Sequence, residues 1–305
     1  MPAFEVVASG LKFPEGPIAL PDGSIILVEI ARGTLSRVSA SGEVSVIAET
    51  RGGPNGAAIG PDGKCYICNN GGFIWHHSNG LIFPGMQPDD YSGGRIERVD
   101  LESGTVEVLY TECDGFPLRG PNDIVFDKEG GFWFTDHGKT RPRDRDRTGV
   151  YYASINGNSI QEIIFPLDSP NGIGLSPDED KVYVAETPTG RLWSFDINGP
   201  GNNGEKINPA NGIMMAQLPT HHLFDSLAVE ACGNVCVATI LTGGITVHSA
   251  DGATAELIEM PDIVTTNICF GGPDLGTAFI TLSSTGQLVK MDWPRKGLPL
   301  NFLNK

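Results

Sequence analysis

The segment that decides the fold is "GPNDIVFDKEGGFWFTD" at residues 120–136. A polar residue follows a proline, and then come a short apolar strand, a turn and an aromatic strand. Nearly the same phrase recurs as "GPNGAAIGPDGKCYICN" from Gly53 and as "SPNGIGLSPDEDKVYVAE" from Ser169. A phrase that recurs along a chain indicates a repeated structural unit.

Three further copies complete a set of six, spaced 40 to 67 residues apart. Aligned on their polar residue, the copies begin at Glu15, Asn55, Asn122, Asn171, Asp225 and Asn267. Most copies continue into two more β-rich runs joined by short polar turns that contain glycine, which indicates hairpins. Units of four strands and about 40–50 residues are typical of β-propeller blades.

The sequence therefore predicts an all-β fold, a six-bladed β-propeller with four-stranded blades, formed by residues 1–305 as a single domain. Only about three strands follow the start of the last copy, so its outer strand must come from elsewhere. The stretch "AFEVVAS" at residues 3–9 precedes the first copy and can supply it. We expect this N-terminal strand to close the last blade, which removes an exposed sheet edge.

Two units carry insertions. The second holds "HHSNGLIFPGMQPDDYS" at 76–92 between its second and third strands, and the fourth holds "NGPGNNGEKINPAN" at 198–211 between its third and fourth. Because strand direction alternates within a blade, the two insertions belong to opposite ends of the propeller. We expect 76–92 to form a lid over the end that bears the aligned polar residues, and 198–211 to be a structural or disordered loop.

The composition limits the partners. The net charge is −16, from 21 basic and 37 acidic residues, and such a surface repels nucleic acid and anionic lipid but attracts a cation. No apolar run is long enough to predict a membrane helix. The first residues lack the basic start and apolar core of a signal peptide, so a cytoplasmic location is expected.

The six cysteines are expected to be reduced and mostly buried. Cys65 and Cys68 have the spacing of half a zinc site. They stand in a predicted strand, however, where an odd spacing sends the two side chains to different faces.

The aligned polar residues predict a metal site. The first strand of each propeller blade lines the central channel, so all six should converge on one ring. Each offers a side-chain oxygen and none offers sulfur or imidazole, which suits Ca²⁺ with its roughly six to eight oxygen ligands. The alternative is that they only cap turns. Glu15 argues against this, because glutamate is a poor turn residue and an unpaired buried carboxylate is unfavourable. For Asn55 and Asn267 both interpretations stay open.

The chain resembles the SMP-30/gluconolactonase/luciferin-regenerating family, six-bladed propellers with a divalent metal in the channel. The resemblance covers essentially the whole chain. Its motifs are "FPEGP", "GPNDIVFD", "SPNGIGLSPD", "FDSLAVEACGNVCVA" and "TTNICFGG", at 13–17, 120–127, 169–178, 224–238 and 265–272. It implies that Glu15, Asn171 and Asp225 match the family's metal ligands. It also implies that Asn122 matches an asparagine that binds the metal or the substrate.

The expected activity is hydrolysis of a sugar-acid or related γ- or δ-lactone, a small-molecule substrate. We expect one divalent ion, Ca²⁺ before Zn²⁺, Mn²⁺ or Mg²⁺, on the ligands Glu15, Asn122, Asn171 and Asp225. Asp225 is the candidate catalytic residue, as general base, because a ligating carboxylate lies within one water of the attack site. The candidate substrate-binding residues are Asn55, Asn122, Arg119 and His137.

Some details of this expectation depart from the family or remain open. Some family members carry an arginine two residues before the asparagine that matches Asn122, whereas here Gly120 takes that place and Arg119 lies one residue further away. The charged run at 139–148, "KTRPRDRDRT", is predicted to be a solvated loop. A calcium-dependent phosphotriesterase and a non-enzymatic calcium-binding propeller are the alternative functions.

Overall fold

A computed structural model describes residues 3–218 and 222–305. Its strands are β1 (Glu5–Ser9), β2 (Pro14–Ala19), β3 (Ile25–Glu29), β4 (Thr34–Val38), β5 (Val44–Glu49), β6 (Pro54–Ile59), β7 (Cys65–Asn69), β8 (Trp75–Ser78), β9 (Leu81–Pro84), β10 (Arg95–Val99), β11 (Val106–Tyr110), β12 (Glu112–Cys113), β13 (Phe116–Pro117), β14 (Pro121–Phe126), β15 (Phe132–Asp136), β16 (Thr148–Ala153), β17 (Ile160–Leu167), β18 (Pro170–Leu175), β19 (Lys181–Glu186), β20 (Arg191–Asp196), β21 (Ile213–Gln217), β22 (Leu223–Val229), β23 (Val235–Ile240), β24 (Gly244–His248), β25 (Ala255–Glu259), β26 (Thr265–Gly271), β27 (Thr277–Leu282) and β28 (Gln287–Asp292). Two short 3-10 segments lie at Pro200–Gly204 and Pro209–Asn211. No helix of the described residues is long and apolar enough to cross a membrane.

Six four-stranded antiparallel sheets form the blades. Blades 1 to 5 consist of β2–β5, of β6, β7, β10 and β11, of β14–β17, of β18–β21 and of β22–β25. Blade 6 consists of β26–β28 and β1, because β1 pairs with β28. The first strands of neighbouring blades contact one another, and β26 contacts β2. The predicted six-bladed propeller, with the N-terminal strand in its last blade, is therefore confirmed.

Buried apolar side chains fill the space between neighbouring sheets. Between blades 5 and 6, for example, Ile245 and Val247 belong to one cluster with Ile268 and Ile280. Strands buried on both faces in this way explain the nearly continuous apolar runs of the sequence, since neither face of an inner strand meets water. This packing holds the first strands around a common channel.

A β-bulge interrupts the first hairpin of each blade where the aligned polar residue lies. In blade 1 the register of β2 against β3 shifts between Glu15 and Ile18, and in blade 3 that of β14 against β15 shifts between Pro121 and Ile124. Blades 2, 4 and 5 show the same shift, and in blade 6 the register shifts between Thr265 and Asn267. A bulge re-aims side chains and is frequent next to functional sites. Six equivalent bulges therefore direct these side chains toward the channel.

The glycine in the recurring phrase "PNG" has an architectural role. A Cβ atom on Gly56 would lie 2.5 Å from the carbonyl oxygen of Asn122 in the next blade. On Gly16, in the related "PEG", it would lie 2.6 Å from the carbonyl oxygen of Asn55. Only glycine permits this approach of neighbouring first strands. In the repeated phrase the polar residue thus belongs to the channel and the glycine to the packing of the ring.

The insertion in blade 2 folds into the hairpin β8–β9. At its tip, Ile82 donates a backbone hydrogen bond to Ser284 of blade 6 over 3.1 Å. At its base, the ring of Trp75 lies 5.2 Å from that of Phe13, two residues before Glu15. The hairpin therefore runs from blade 2 past blade 1 to blade 6, beside the end of the channel where the polar residues lie.

The segment 297–305 crosses the opposite end of the channel. Leu298 donates a backbone hydrogen bond to Val229 of blade 5, and the amide of Asn301 donates one to the carbonyl of Phe126 of blade 3. Leu303 packs against the apolar cluster of blades 1 and 2. Two cavities of about 100 and 60 Å³ lie between this segment and the first strands.

The remaining expectations concern the second insertion and the cysteines. The loop 198–211 contains both 3-10 segments and pairs with blade 3 through a backbone hydrogen bond from Ile207 to Ile163 of 2.7 Å, which is a structural contact. All six cysteines are free, and all but Cys232 are buried. Burial raises the pKa of the Cys65 thiol to about 12, so it is not a nucleophile at neutral pH.

Candidate metal centre

The six aligned polar residues lie at the starts of the six innermost strands. Five of them are buried, and Asp225 is half-buried. Asn122 and Asn171 are the second residues of β14 and β18, directly after a proline. Proline fixes the backbone there without needing a hydrogen-bond partner for its nitrogen. The strand starts therefore hold the side chains in similar positions around the channel.

Asn267 and Glu15 form one half of the site. The amide nitrogen of Asn267 donates to Oε2 of Glu15 over 2.7 Å, and the backbone nitrogen of Gly16 donates to the same oxygen over 2.8 Å. The amide oxygen of Asn267 accepts from the backbone of Ile268. Asn267 thus orients the carboxylate of Glu15 through its nitrogen, and its oxygen already has one hydrogen-bond partner.

Asn171 and Asp225 form the other half. The amide nitrogen of Asn171 donates to Oδ1 of Asp225 over 2.7 Å and to the hydroxyl of Thr187 over 3.0 Å. Both hydrogen bonds use the nitrogen, so the orientation of the amide is fixed by its donors. Its oxygen is left free on the other side.

Two amide oxygens at this site have no hydrogen-bond partner among the described residues. They are Oδ1 of Asn122 and Oδ1 of Asn171, and both are buried. A buried polar atom without a partner is unfavourable and calls for an explanation. Both residues are predicted metal ligands, and a hard cation would satisfy both oxygens. The donor set therefore fits a divalent ion.

A third carboxylate joins Glu15 and Asp225. Asp123, which follows Asn122 in β14, is buried and lines the cavity of about 100 Å³. Burial, and then the charge of Glu15, raise its pKa to about 8. No group of three His, Cys, Asp or Glu side chains among the described residues is arranged to hold a metal by itself. A site here consequently needs the amide oxygens as well as carboxylates.

The pKa values of the channel carboxylates Glu15, Asp123 and Asp225 are all raised. Burial raises the pKa of Glu15, although hydrogen bonds from Asn267 and Gly16 oppose the shift. Burial raises the pKa of Asp225 well above its usual value, and the charges of Glu15 and Asp123 add to the rise. A bound divalent ion would lower these pKa values, because it stabilises the ionised form.

The predicted substrate contacts lie around the mouth of the channel. Asn55 is buried in β6, whereas Arg119 is exposed. His137 is half-buried, and burial lowers its pKa to about 4. Asp136 connects the backbone segments that carry Arg119 and His137, because its carboxylate accepts backbone hydrogen bonds from Arg119, Gly120 and Gly138.

Lys139 corrects the prediction of a solvated loop at 139–148. Most of this loop is exposed, but Lys139 itself is fully buried. A run of interleaved charges normally stays in water, and the sequence gives no sign that its first member turns inward. Asp123 was likewise missed, since strict strand alternation would place it on the opposite face from Asn122.

Known proteins are similar to this chain in sequence and in fold. A gluconolactonase of Zymomonas mobilis is 26% identical over 299 residues, covering 88% of this chain and 75% of that protein. A diisopropyl-fluorophosphatase of Loligo vulgaris is 30% identical over 205 residues, covering 63% of each chain. The solved structure of regucalcin, a calcium-binding protein of Agrobacterium tumefaciens, is similar in fold. Its TM-score is 0.76 at 18% identity, with 99% of this chain and 98% of that chain covered.

A protein family also matches most of the chain. The family described as "SMP-30/Gluconolactonase/LRE-like region" matches residues 13–284. This range includes all six aligned polar residues and five complete blades. The resemblance inferred from the motifs is thereby confirmed. The chain belongs to the SMP-30/gluconolactonase/LRE-like family.

Proposed function

We propose that this protein is a metal-dependent lactonase, a hydrolase that opens a sugar-acid or related γ- or δ-lactone to the hydroxy acid. The observation that carries the proposal is the pair of unpartnered amide oxygens, on Asn122 and Asn171, in the same ring of residues as the carboxylates of Glu15 and Asp225. The likeness to the gluconolactonase of Zymomonas mobilis supports a cyclic ester as the substrate.

Glu15, Asn122, Asn171 and Asp225 would hold the metal. Ca²⁺ is the ion we propose, because all the donors are hard oxygens. Zn²⁺, Mn²⁺ and Mg²⁺ are the competing ions for an oxygen site. When bound, such an ion supplies a Lewis acid for the carbonyl oxygen of the lactone.

The proton transfers fall to the side chains. Oδ1 of Asp225 is occupied by the amide of Asn171, so its other oxygen is the one that can take a proton from the attacking water. The water oxygen bonds to the carbonyl carbon, the ring C–O bond breaks, and the released alkoxide takes the proton that Asp225 received from the water. The hydroxy acid is then complete, and the carboxylate of Asp225 is restored.

The remaining contacts would orient the substrate. The amides of Asn55 and Asn122 can donate hydrogen bonds to the oxygens of the lactone. At pH 7 the imidazole of His137 is neutral, because its pKa is lowered to about 4. It therefore suits a neutral hydrogen-bond partner of the substrate, and not a cationic acid. Arg119 is exposed beside His137 and can meet the outer part of a substrate.

The test is a metal-dependent activity assay. Protein treated with EDTA is assayed against a panel of γ- and δ-lactones that includes glucono-δ-lactone, and acid release is followed by pH-stat. Ca²⁺, Mg²⁺, Mn²⁺ and Zn²⁺ are then added back one at a time. We expect activity to disappear with EDTA and to return with Ca²⁺. Absence of turnover for every lactone with every metal would contradict the proposal.

A phosphotriesterase is the second candidate, since the diisopropyl-fluorophosphatase of Loligo vulgaris is 30% identical over its aligned part. In that reaction a channel carboxylate could attack phosphorus directly. A single turnover in ¹⁸O-labelled water separates the routes: label found first in Asp225 indicates carboxylate attack, and label found first in the product indicates water attack. Ca²⁺ binding with no turnover of either substrate class would favour a non-enzymatic calcium-binding propeller.

A further inference from the structure

Lys139 is a buried cation surrounded by neutral partners. It follows β15 by three residues, and its side chain is among the largest fully buried ones in the protein. The ammonium donates to the amide oxygen of Asn70 over 3.0 Å and to the carbonyl oxygen of Gly72 over 2.6 Å. It also lies 3.9 Å from the centre of the Phe73 ring. Burying a charge among neutral groups is unfavourable, so we expect Lys139 to have a structural or functional role that offsets this cost.

The partners of Lys139 belong to both ends of the blade 2 insertion. Asn70, Gly72 and Phe73 lead from β7 into the hairpin, and Tyr91 lies where the chain returns from it. The ammonium is 5.7 Å from the centre of the Tyr91 ring, within reach of a cation–π interaction. The hydroxyl of Tyr91 donates to the carbonyl oxygen of Arg119 in blade 3 over 2.5 Å. Both ends of the insertion are thus held against blade 3 at Lys139.

Two more contacts complete the attachment. The returning part of the insertion pairs with the loop after Lys139, since the backbone of Gln87 donates to Thr140 over 3.0 Å. The side chain of Arg141 donates to that of Gln87 over 3.2 Å. The tip is fixed separately on blade 6, through Ile82 and Ser284. Blade 3 therefore supplies the fixed end from which the hairpin reaches across blade 1.

Asn70, one of the partners of Lys139, also contacts the residue just before the first strand of blade 2. The backbone nitrogen of Asn70 donates to the carbonyl oxygen of Gly53 over 2.8 Å, and Gly53 is two residues before Asn55. A displacement of Asn70 would therefore be felt at the mouth of the channel as well as in the insertion.

We propose that Lys139 is a positioning residue that holds the insertion 76–92 beside the channel mouth and so sets the access of substrate to the metal centre. The kinetic part of this inference rests on the proposed function, but the anchoring does not. Burial lowers the pKa of Lys139 to about 7, while Asp136 and Asp146 oppose the shift. Tyr91, which faces the same ammonium, stays uncharged because its pKa is raised to about 12.

The test compares Lys139→Met with Lys128→Met, a control at an exposed lysine on the other end of the propeller. Residues 75–91 contain Trp75, Leu81, Phe83 and Tyr91 but no lysine or arginine, so chymotrypsin is the protease to use. We expect cleavage inside the insertion to be about tenfold faster in Lys139→Met, equivalent to about 1.4 kcal/mol, and unchanged in the control. Ca²⁺ affinity should be unaffected, because Lys139 touches none of the proposed ligands.

Two further measurements separate positioning from a general loss of structure. On the best lactone, Lys139→Met should change KM about tenfold while kcat stays within about twofold. Between pH 6 and pH 8, cleavage of the wild type should slow relative to the change in the protease's own activity, and that of Lys139→Met should not, because a released lysine takes up a proton that the buried one has lost. If Lys139→Met does not fold, Phe73→Leu, which removes only the ring under the ammonium, should shift cleavage in the same direction.

Equal cleavage rates and equal KM values in wild type and variant would overturn the inference. The protease readout needs no turnover. A protein without lactonase activity whose insertion is still released by Lys139→Met would therefore contradict the proposed function and leave the anchor intact. An active lactonase in which Lys139→Met leaves the cleavage rate of the insertion unchanged would support the proposed function and contradict the anchoring role of Lys139.

Discussion

Asn171 and Asp225, on the first strands of neighbouring blades, are joined by a hydrogen bond of 2.7 Å from the amide nitrogen of one to the carboxylate of the other. The bond turns the amide oxygen of Asn171 away from its partner, and this oxygen has no hydrogen-bond partner among the described residues. The same contact thus orients a proposed base and leaves a proposed metal ligand free.

Replacing Asn171 should therefore weaken the metal site. In Asn171→Ala both the free oxygen and the donor to Asp225 are lost, and we expect Ca²⁺ affinity to fall about 100-fold or more. Thr187→Val removes only one of the two acceptors that orient the amide, so its loss should be about tenfold or less. Calorimetric titration of EDTA-treated protein measures both. Wild-type affinity in Asn171→Ala would exclude this residue from the ligand set.

Two substitutions separate the two proposed roles of Asp225, which are metal ligand and general base. Asp225→Asn keeps an oxygen for the metal but cannot accept the proton of water, so we expect kcat at saturating Ca²⁺ to fall by about 10²–10⁴. Asp225→Ala should lose both turnover and most of the metal affinity. Unchanged turnover in either variant on the lactone panel would remove Asp225 from the mechanism.

Asn267 should act only through Glu15. Its own oxygen is occupied by the backbone of Ile268, while its nitrogen holds the carboxylate of Glu15. We expect Asn267→Ala to lower Ca²⁺ affinity about 10–100-fold, the usual effect of losing a group that orients a ligand. Asn301→Ala, at the far end of the channel, is the control and should bind Ca²⁺ as the wild type does. A larger loss than that of Asn171→Ala would indicate direct ligation.

His248 should make the folded protein sensitive to acid. It is buried in β24, its Nε2 has no partner among the described residues, and burial lowers its pKa from 6.5 to about 4. Because the unfolded chain binds the proton more readily, stability is complete above pH 6.5 and is lost as the pH falls toward 4. The full difference is about 3 kcal/mol.

Urea unfolding at pH 7 and pH 5 tests this expectation, with His248→Leu as the variant. The variant should lose less stability on acidification than the wild type. Part of the acid sensitivity should persist, since the pKa of His137 is lowered in the same way. An identical pH dependence in both proteins would show that the pKa of His248 is not lowered in the folded protein.

Gly56 should tolerate no side chain. An added Cβ would lie 2.5 Å from the carbonyl oxygen of Asn122 and 2.6 Å from Cα of Asp123, and neither backbone atom can move without displacing the ring. We expect Gly56→Ala to lower the free energy of unfolding by about 1–3 kcal/mol. Gly276→Ala, whose nearest new neighbour is the carboxylate of Asp274 at 3.0 Å, should change it by less than about 1 kcal/mol.

The blade count, the closing strand and the ring of polar residues could be predicted because each depends on a phrase repeated six times. A repeat carries its register with it, so equivalent residues must meet equivalent surroundings. The separate roles of Asn267 and Asn171 could not be predicted, since both residues fit the same pattern. Only the occupied oxygen of one and the free oxygen of the other distinguish them.

Asp123 and Lys139 escaped prediction for physical reasons. Asp123 departs from strand alternation because β14 carries a bulge, which no residue type in the sequence announces. Lys139 opens a highly charged run, and charge normally means solvent. Its burial depends on a pocket formed by Asn70, Gly72 and Phe73 from a distant part of the chain.

The segment 297–305, which lies across the channel opposite the mouth, has a consequence for traffic through the molecule. Because this segment packs across that end, we expect a small molecule that reaches Glu15 and Asp225 to leave by the way it came. Entry of one molecule and release of the previous one then use the same opening of the channel, and the hairpin β8–β9 lies beside it. Whatever holds that hairpin in place governs both directions of passage at once.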